Sequence, residues 1–290
     1  NFKKFMKKVL VTTKLLKSNE ERISQLWDAK LNLNNEIYSE NKLIELSKDC
    51  DGILSSIVDK IDKKTINKLS DKVKIISNFA VGFGNIDIEA ASKRNIVVTN
   101  TPDVLTDATA EIAMLLILGA SRRAVEGMQW ARNKNWRWSA DFLIGKQLSG
   151  SKLGILGMGR IGRAVAKRAK AFGMEIHYHN RSKLNQDLEA GATYHDNIQS
   201  LFSTSDILSI NCLVTKETKK IINKKTLKFF SKEAIIINSA RGDMIDDDAM
   251  VEALKDKRIF ALGLDVYNGE PNIHPGYLEH QNVFILPHLG

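Results

Sequence analysis

The chain carries only two cysteines in 290 residues, Cys50 and Cys212. They lie too far apart for a metal-ligand spacing and build no disulfide framework, so no metal site and a reducing cytoplasm are expected. Long apolar runs are equally scarce. The longest, Ile112 to Ala120, falls well below the roughly 20 residues of a membrane span. No secretory segment follows the basic start, because Val9-Leu10-Val11 is broken by Thr12, Thr13 and Lys14. Solenoid repeats and low-complexity tracts are missing as well. Acidic residues are in deficit, 34 against 43 basic ones, which leaves a formal charge of +9. Such a balance invites a nucleic-acid reading, yet the lysines are dispersed along polar helix faces, as in Lys63-Lys64, Lys219-Lys220 and Lys224-Lys225. The stretch Trp130 to Trp138 interleaves bases with aromatics and reads as a packing arm or interface. Neither nucleic acid nor membrane is expected as a partner, whereas a positive field steers small anions and a phosphorylated cofactor.

What is present is enough apolar material, 43% of residues, for two cores of ordinary size. From Val9 to about Asn100 strand-like and helix-like segments alternate: Val9 to Thr12, a polar helix around Glu20 to Lys30, Gly52 to Ser56, a helix near Asp62 to Leu69, Val73 to Phe79, a helix at Ile88 to Arg94, and Ile96 to Thr99. A second alternation opens with one long helix, Asp103 to about Arg132, started by Pro102. It continues through strands at Lys152 to Leu156, Glu175 to His179, Ile207 to Asn211, Ala234 to Asn238, Ala261 to Asp265 and Val283 to Leu286. The pattern predicts an α/β protein of two doubly wound, parallel-sheet lobes, residues 1–101 and 102–290. Met6-Lys7-Lys8-Val9 reads as a natural start, making Asn1 to Phe5 an upstream extension.

Four short motifs carry the chemistry. Directly after the strand Lys152 to Leu156 comes Gly157-Met158-Gly159-Arg160-Ile161-Gly162, followed by helical spacing to Phe172. Strand, glycine turn and helix form a dinucleotide cradle: Gly157 for the tight turn, Gly159 for close approach of a pyrophosphate, Gly162 for helix packing, and the helix N-terminus for the anion. At the end of the next strand, where an NAD-specific protein places a carboxylate on the adenosine ribose, stand Asn180, Arg181 and Ser182. A guanidinium and a hydroxyl suit a 2′-phosphate. NADPH is therefore expected over NADH. His177 and His179 share one strand face in a metal-like pair, but no third ligand is evident and the pair reads as structural.

The remaining motifs are Ala240-Arg241-Gly242-Asp243, Gly263-Leu264-Asp265-Val266 with Glu270-Pro271, and Pro287-His288-Leu289-Gly290. Arg241 follows an apolar strand, at the rim where open α/β sheets bind ligands, and its fork matches an α-keto carboxylate. His288 follows another strand, and an imidazole is the side chain suited to donating a proton at physiological pH. Glu270 is the carboxylate expected to orient and charge it. An anion anchor, a proton donor and a hydride source are what reduction of a 2-keto acid requires.

Together with Asn78 to Asp87 and Asn100 to Glu111, these residues resemble the D-isomer-specific 2-hydroxyacid dehydrogenases, within them the glyoxylate/hydroxypyruvate reductase branch, over nearly the whole chain. The resemblance implies a flavodoxin-like substrate lobe and a Rossmann cofactor lobe. It implies Arg241, Glu270 and His288 as catalytic trio, with substrate held by Arg241, His288 and the Val81-Gly82 loop. Cofactor contacts would come from the glycine loop with Arg160 and Ile161, from Asn180, Arg181 and Ser182, and from Thr109, Ala240, Asp265 and Gly290. Trp138 aligns with a tryptophan that enters the neighbouring subunit's pocket, and a homodimer through the arm around Ala120 to Trp138 is implied. NADP is the preferred cofactor and NAD the alternative. The activity implied is reduction of glyoxylate or hydroxypyruvate to glycolate or D-glycerate. Rivals of the same architecture are a phosphoglycerate dehydrogenase and a dinucleotide-sensing corepressor-like protein. The family's helix after its Pro-His-x-Gly turn is absent from this chain.

Overall fold

The computed structural model describes residues 6–134 and 136–290; the extension expected at Asn1 to Phe5 lies outside the described residues. The chain divides into two compact units, the first ending at Val104 and the second running from Leu105 to Gly290.

The first unit contains β1 (Lys8–Val11), α1 (Lys17–Leu26), β2 (Asp28–Lys30), α2 (Glu40–Ser47), β3 (Gly52–Ser56), α3 (Lys63–Lys68), β4 (Ile75–Phe79), α4 (Ile88–Lys93) and β5 (Val97–Thr99). Its all-parallel sheet runs in the order β2-β1-β3-β4-β5, a flavodoxin-like winding. Side-chain caps start three of its helices: Ser39, Asp62 and Asp87 each accept the backbone N–H three residues on, which satisfies donors the helix itself leaves open.

The second unit contains α5 (Thr106–Ser121), α6 (Ala124–Asn133), β6 (Lys152–Leu156), α7 (Arg160–Ala171), β7 (Glu175–His179), α8 (Gln186–Glu189), β8 (Thr193–Tyr194), α9 (Ile198–Thr204), β9 (Ile207–Ile210), β10 (Ile235–Asn238), α10 (Asp247–Lys255), β11 (Ala261–Leu264), α11 (Pro275–Leu278) and β12 (Val283–Ile285). Its parallel sheet runs β12-β11-β10-β9-β6-β7-β8, the winding of a Rossmann domain with a further strand at one edge. β9, β10 and β11 are buried along their whole length, as strands covered by helices on both faces must be. The two-lobed parallel α/β reading therefore holds.

Several elements differ from the sequence reading. The long helix expected from Asp103 to Arg132 is two helices. Asp103 takes a positive φ of 72°, so Pro102 does not open the helix, which begins at Thr106. At the other end the Lys146 N–H takes the Ser121 carbonyl at 2.8 Å, an acceptor that a continuing helix would need. The chain turns through Arg123 at φ 53°, and the Arg123 guanidinium pairs with Glu126 in the first turn of α6. β2, with the sequence Asp-Ala-Lys, was expected as the tail of a helix; it carries no apolar run and forms because its backbone pairs with β1. α2 and β8 were not anticipated either.

α5 organises the core of the second unit. Ala110, Ala113, Leu116 and Ile117 are fully buried. A Cβ on Gly263 of β11 would stand 3.1 Å from the Leu116 Cβ and 2.7 Å from Ile237 Cδ1, so glycine there lets helix and sheet close together. A Cβ on Gly119 would meet the Phe284 ring of β12 at 2.8 Å. Among the described residues no helix is long and apolar enough to cross a membrane.

Leu116 and Leu115 are neighbours on α5 with opposite fates, the first fully buried and the second 43% exposed. Leu116→Ala is expected to destabilise the second unit by about 2–5 kcal/mol through lost burial and a cavity, and Leu115→Ala by less than about 1 kcal/mol. Urea midpoints of the two variants check this; equal shifts would contradict the assigned core.

Candidate functional site

The glycine turn after β6 has a separate steric reason at each glycine. Gly157 sits at φ +97°, and a Cβ there would lie 2.7 Å from the backbone Cα of Cys212. A Cβ on Gly162 would lie 2.3 Å from the Gly157 carbonyl oxygen, so α7 crosses the turn at a distance only glycine allows. Gly159, the N-cap of the 12-residue α7, faces open space. The structure thus presents a bare backbone at a helix N-terminus, where an anion is favoured. Arg160 and Ile161 form its first turn. The loop is braced from the neighbouring strand: the His179 carbonyl accepts the Gly157 N–H at 3.0 Å, and the Asn180 side-chain oxygen accepts the Met158 N–H at 2.7 Å. Cys212 packs beneath, its thiol pushed up to about 11 by burial, so it is inert filler at neutral pH.

Asn180 therefore supports the loop with its side-chain oxygen, while Arg181 and Ser182 are exposed beyond it. The Glu217 carboxyl is held below its ordinary range by the Thr215 hydroxyl, its own backbone N–H and the nearby charge of Arg181.

Arg241, Glu270 and His288 follow β10, β11 and β12, three adjacent strands whose C-terminal ends lie on the same sheet edge as the glycine turn. His288 Nδ1 lies 2.6 Å from Glu270 Oε2. The other carboxylate oxygen accepts the Tyr267 N–H at 2.9 Å. Burial works to raise the Glu270 carboxyl. The hydrogen bonds from His288 and Tyr267, with the charges of His288 and Arg241, outweigh it and hold the group below the ordinary glutamate value. Burial lowers the Arg241 pKa against the raising charges of Glu270 and Asp243; a guanidinium remains a cation regardless. Asn238 shapes the Arg241 turn, accepting the Ala240 N–H at 3.0 Å and donating to the Arg241 carbonyl at 2.8 Å. A Cβ on Gly242 would fall 2.0 Å from the Tyr267 carbonyl carbon, so the arginine and glutamate loops lie against each other through bare backbone. The sequence-predicted trio is brought together.

His288 has a left-handed backbone, φ 56°, a conformation that a non-glycine residue holds only when its surroundings fix it. Asp265 supplies part of that fixation. It is fully buried, and its carboxylate accepts the N–H of Leu289 at 2.7 Å and of Gly290 at 2.8 Å. Thr109, at the start of α5, donates its hydroxyl to the Gly290 carbonyl at 2.6 Å. Thr109, Asp265 and Gly290 thus meet, as parts of the His288 turn. The bracing role of Asp265 has no sequence signal beyond its place at a strand end.

Val81 and Gly82 follow β4 in the first unit. Their carbonyls accept the side-chain amides of Asn100 and Asn78, both at 2.9 Å. Neither of their N–H groups donates among the described residues. Trp138 is 81% exposed, whereas Trp130 and Trp136 pack on Phe142 with centroids 5.8 and 6.5 Å away. His177 and His179 both turn to His195, a residue the sequence reading did not connect with them. His177 Nδ1 lies 3.0 Å from His195 Nε2, and His179 Nδ1 lies 2.8 Å from the His195 carbonyl. Among the described residues no group of three His, Cys, Asp or Glu side chains is placed to hold a metal ion.

A carboxyl whose folded pKa is depressed contributes stability fully above its unfolded value, here 4.5, and loses it as pH falls through the folded value. Wild-type protein is therefore expected to lose more stability than Glu270→Gln as pH drops below about 4.5. Urea midpoints taken across that interval check it, and parallel curves would show that the His288–Glu270 pair adds nothing.

Comparison with known proteins gives this geometry its context. A family model described as D-isomer specific 2-hydroxyacid dehydrogenase, NAD binding domain, matches residues 114–290. The chain is 39% identical to the glycerate dehydrogenase of Hyphomicrobium methylovorum, over 98% of this chain and 89% of that protein. It is also 39% identical to the glyoxylate reductase of Thermococcus litoralis, over 98% and 87%. Among solved structures, the NADPH-dependent glyoxylate/hydroxypyruvate reductase of Sinorhizobium meliloti, in complex with NADP and malonate, superposes with a TM-score of 0.87 at 32% identity, covering 98% of this chain and 86% of that one. A turn that only glycine fits at 157 and 162, and an extent of identity that takes in both units, lead to one conclusion: the chain belongs to the D-isomer-specific 2-hydroxyacid dehydrogenase family of NAD(P)-dependent oxidoreductases acting on CH–OH donors.

Proposed function

We propose that this protein reduces a small 2-keto acid, glyoxylate or hydroxypyruvate, to glycolate or D-glycerate, with NADPH as preferred cofactor. The observation that carries the proposal is the His288–Glu270 contact of 2.6 Å within the electrostatic reach of Arg241, on the sheet edge that also bears the glycine turn. A bound nicotinamide supplies the hydride for the keto carbon. His288 releases a proton to the keto oxygen from Nε2, because Nδ1 is engaged by Glu270. Glu270 fixes the ring and stabilises its cationic form. Arg241 holds the substrate's carboxylate and keto oxygen, and the Val81 and Gly82 N–H groups offer further donors for the carboxylate. Arg181 and Ser182 receive the 2′-phosphate of the adenosine half, with no acidic residue in the segment 180–183 to repel it. Thr109, Asp265, Ala240 and Gly290 border the nicotinamide half. The protein acts as a homodimer in which the exposed Trp138 enters the partner's pocket. The printed names of the relatives at 39% identity, a glycerate dehydrogenase and a glyoxylate reductase, support the small substrate.

His288→Gln is expected to lower kcat by about 10²–10⁴-fold, the usual worth of a positioned general acid, with NADPH affinity nearly unchanged. Steady-state NADPH oxidation with a panel of keto acids checks this; undiminished turnover would reject the role, and no turnover by the wild type with any keto acid would reject the activity. Arg181→Asp is expected to shift the kcat/KM ratio of NADPH over NADH downward by at least about tenfold, the loss of one charge-assisted contact. A ratio that does not move would remove Arg181 from the phosphate site.

A further inference from the structure

Tyr267 lies outside the trio and outside every motif singled out in the sequence, yet it bonds Glu270 and the segment that leads to His288. Its backbone N–H donates to Glu270 Oε1 at 2.9 Å. Its phenol hydroxyl donates to the Leu286 carbonyl at 2.5 Å and lies 3.2 Å from the Leu264 carbonyl. Leu264 ends β11, and Leu286 is the residue before Pro287-His288. One hydroxyl therefore spans the gap between the strand that leads to the glutamate and the strand that leads to the histidine. The ring is 8% exposed, and it packs in the apolar cluster formed with Leu264, Met244 and Ile285. Burial, then the charge of Asp265, push the phenol up to about 12, so it keeps its proton and remains a donor across the working range.

The turn on the far side of His288 is pinned by Asp265 through Leu289 and Gly290. On the near side, Leu286 also donates its N–H to the Leu264 carbonyl at 2.8 Å, a ladder bond that leaves the Leu286 carbonyl to the phenol. Without the hydroxyl, that half-buried carbonyl loses its partner, and the near side of the segment carrying His288 keeps only the Leu286–Leu264 ladder bond. For a left-handed histidine whose ring must meet a carboxylate at 2.6 Å, a displacement of a few tenths of an ångström changes the alignment of proton transfer.

We propose that Tyr267 is a positioning residue for proton donation: its hydroxyl, bridging the ends of β11 and β12, sets the spacing of His288 from the Glu270 loop. This rests on the reading of His288 as the proton donor. Glycine at 242, whose backbone abuts Tyr267, extends the same brace to the Arg241 loop.

The test is Tyr267→Phe in the full chain, alongside wild type and His288→Gln. We expect kcat to fall about tenfold, KM for keto acid and for NADPH to stay within about twofold, and the solvent deuterium isotope effect on kcat to rise as proton transfer becomes more rate-limiting. In protein labelled with 15N-histidine, the Nδ1 resonance assigned by its loss in His288→Gln should move in Tyr267→Phe without any ligand. Unchanged kcat and isotope effect would overturn the proposal, as would an unmoved resonance. So would kcat and KM worsening together with a large fall in thermal midpoint, the mark of a merely structural phenol. Failure of the underlying reading looks different: there His288→Gln itself retains turnover.

Discussion

A carboxylate without solvent access must have its oxygens satisfied, because an unpaired buried charge costs several kcal/mol. Asp265 meets this demand with two backbone N–H groups from the far end of the second unit, and the rest of the site follows from that bond pair. It closes the loop after β12 onto the end of β11, holds His288 in a backbone conformation it would otherwise leave, and brings the imidazole to Glu270. The alternative for the chain is a buried, unpaired aspartate. The electrostatic requirement of one residue thus becomes the geometric precision of another.

The parallel sheet does the rest of the placement. With β10, β11 and β12 in register side by side, three loops distant in sequence emerge at neighbouring positions, and each contributes a different kind of group: cation, carboxylate, imidazole. Backbone-to-backbone approach at Gly242 and Gly162 removes the spacing that side chains impose. At each position the chemistry on the exposed side depends on the absence of a side chain on the buried one.

Much of this was legible in the sequence, for an identifiable reason. Glycine turns, strand ends and alternating apolar segments encode local geometry, so the cradle, the two lobes and the trio could be read from residues 157–162, 241, 270 and 288. What escaped reading depends on partners. β2 is polar and exists because β1 pairs with it. The break between α5 and α6 is made by Lys146 taking a carbonyl, with no glycine or proline to announce it. His195 joins His177 and His179 only once β8 lies beside β7. Asp265 and Tyr267 exert their influence through hydrogen-bond destinations, which residue types alone do not specify.

The close approach of Gly119 to the Phe284 ring ties the His288 turn to the middle of α5. Phe284 stands four residues before His288 on the same strand and loop, and α5 is the rail against which that strand is set. Bulk gained in the middle of α5 would push the ring, the ring would carry the strand, and the imidazole would arrive out of alignment. Such a change would leave Arg241, Glu270 and His288 in the chain and still disturb how they are set, so the arrangement at the sheet's rim is held from the helix interior as well.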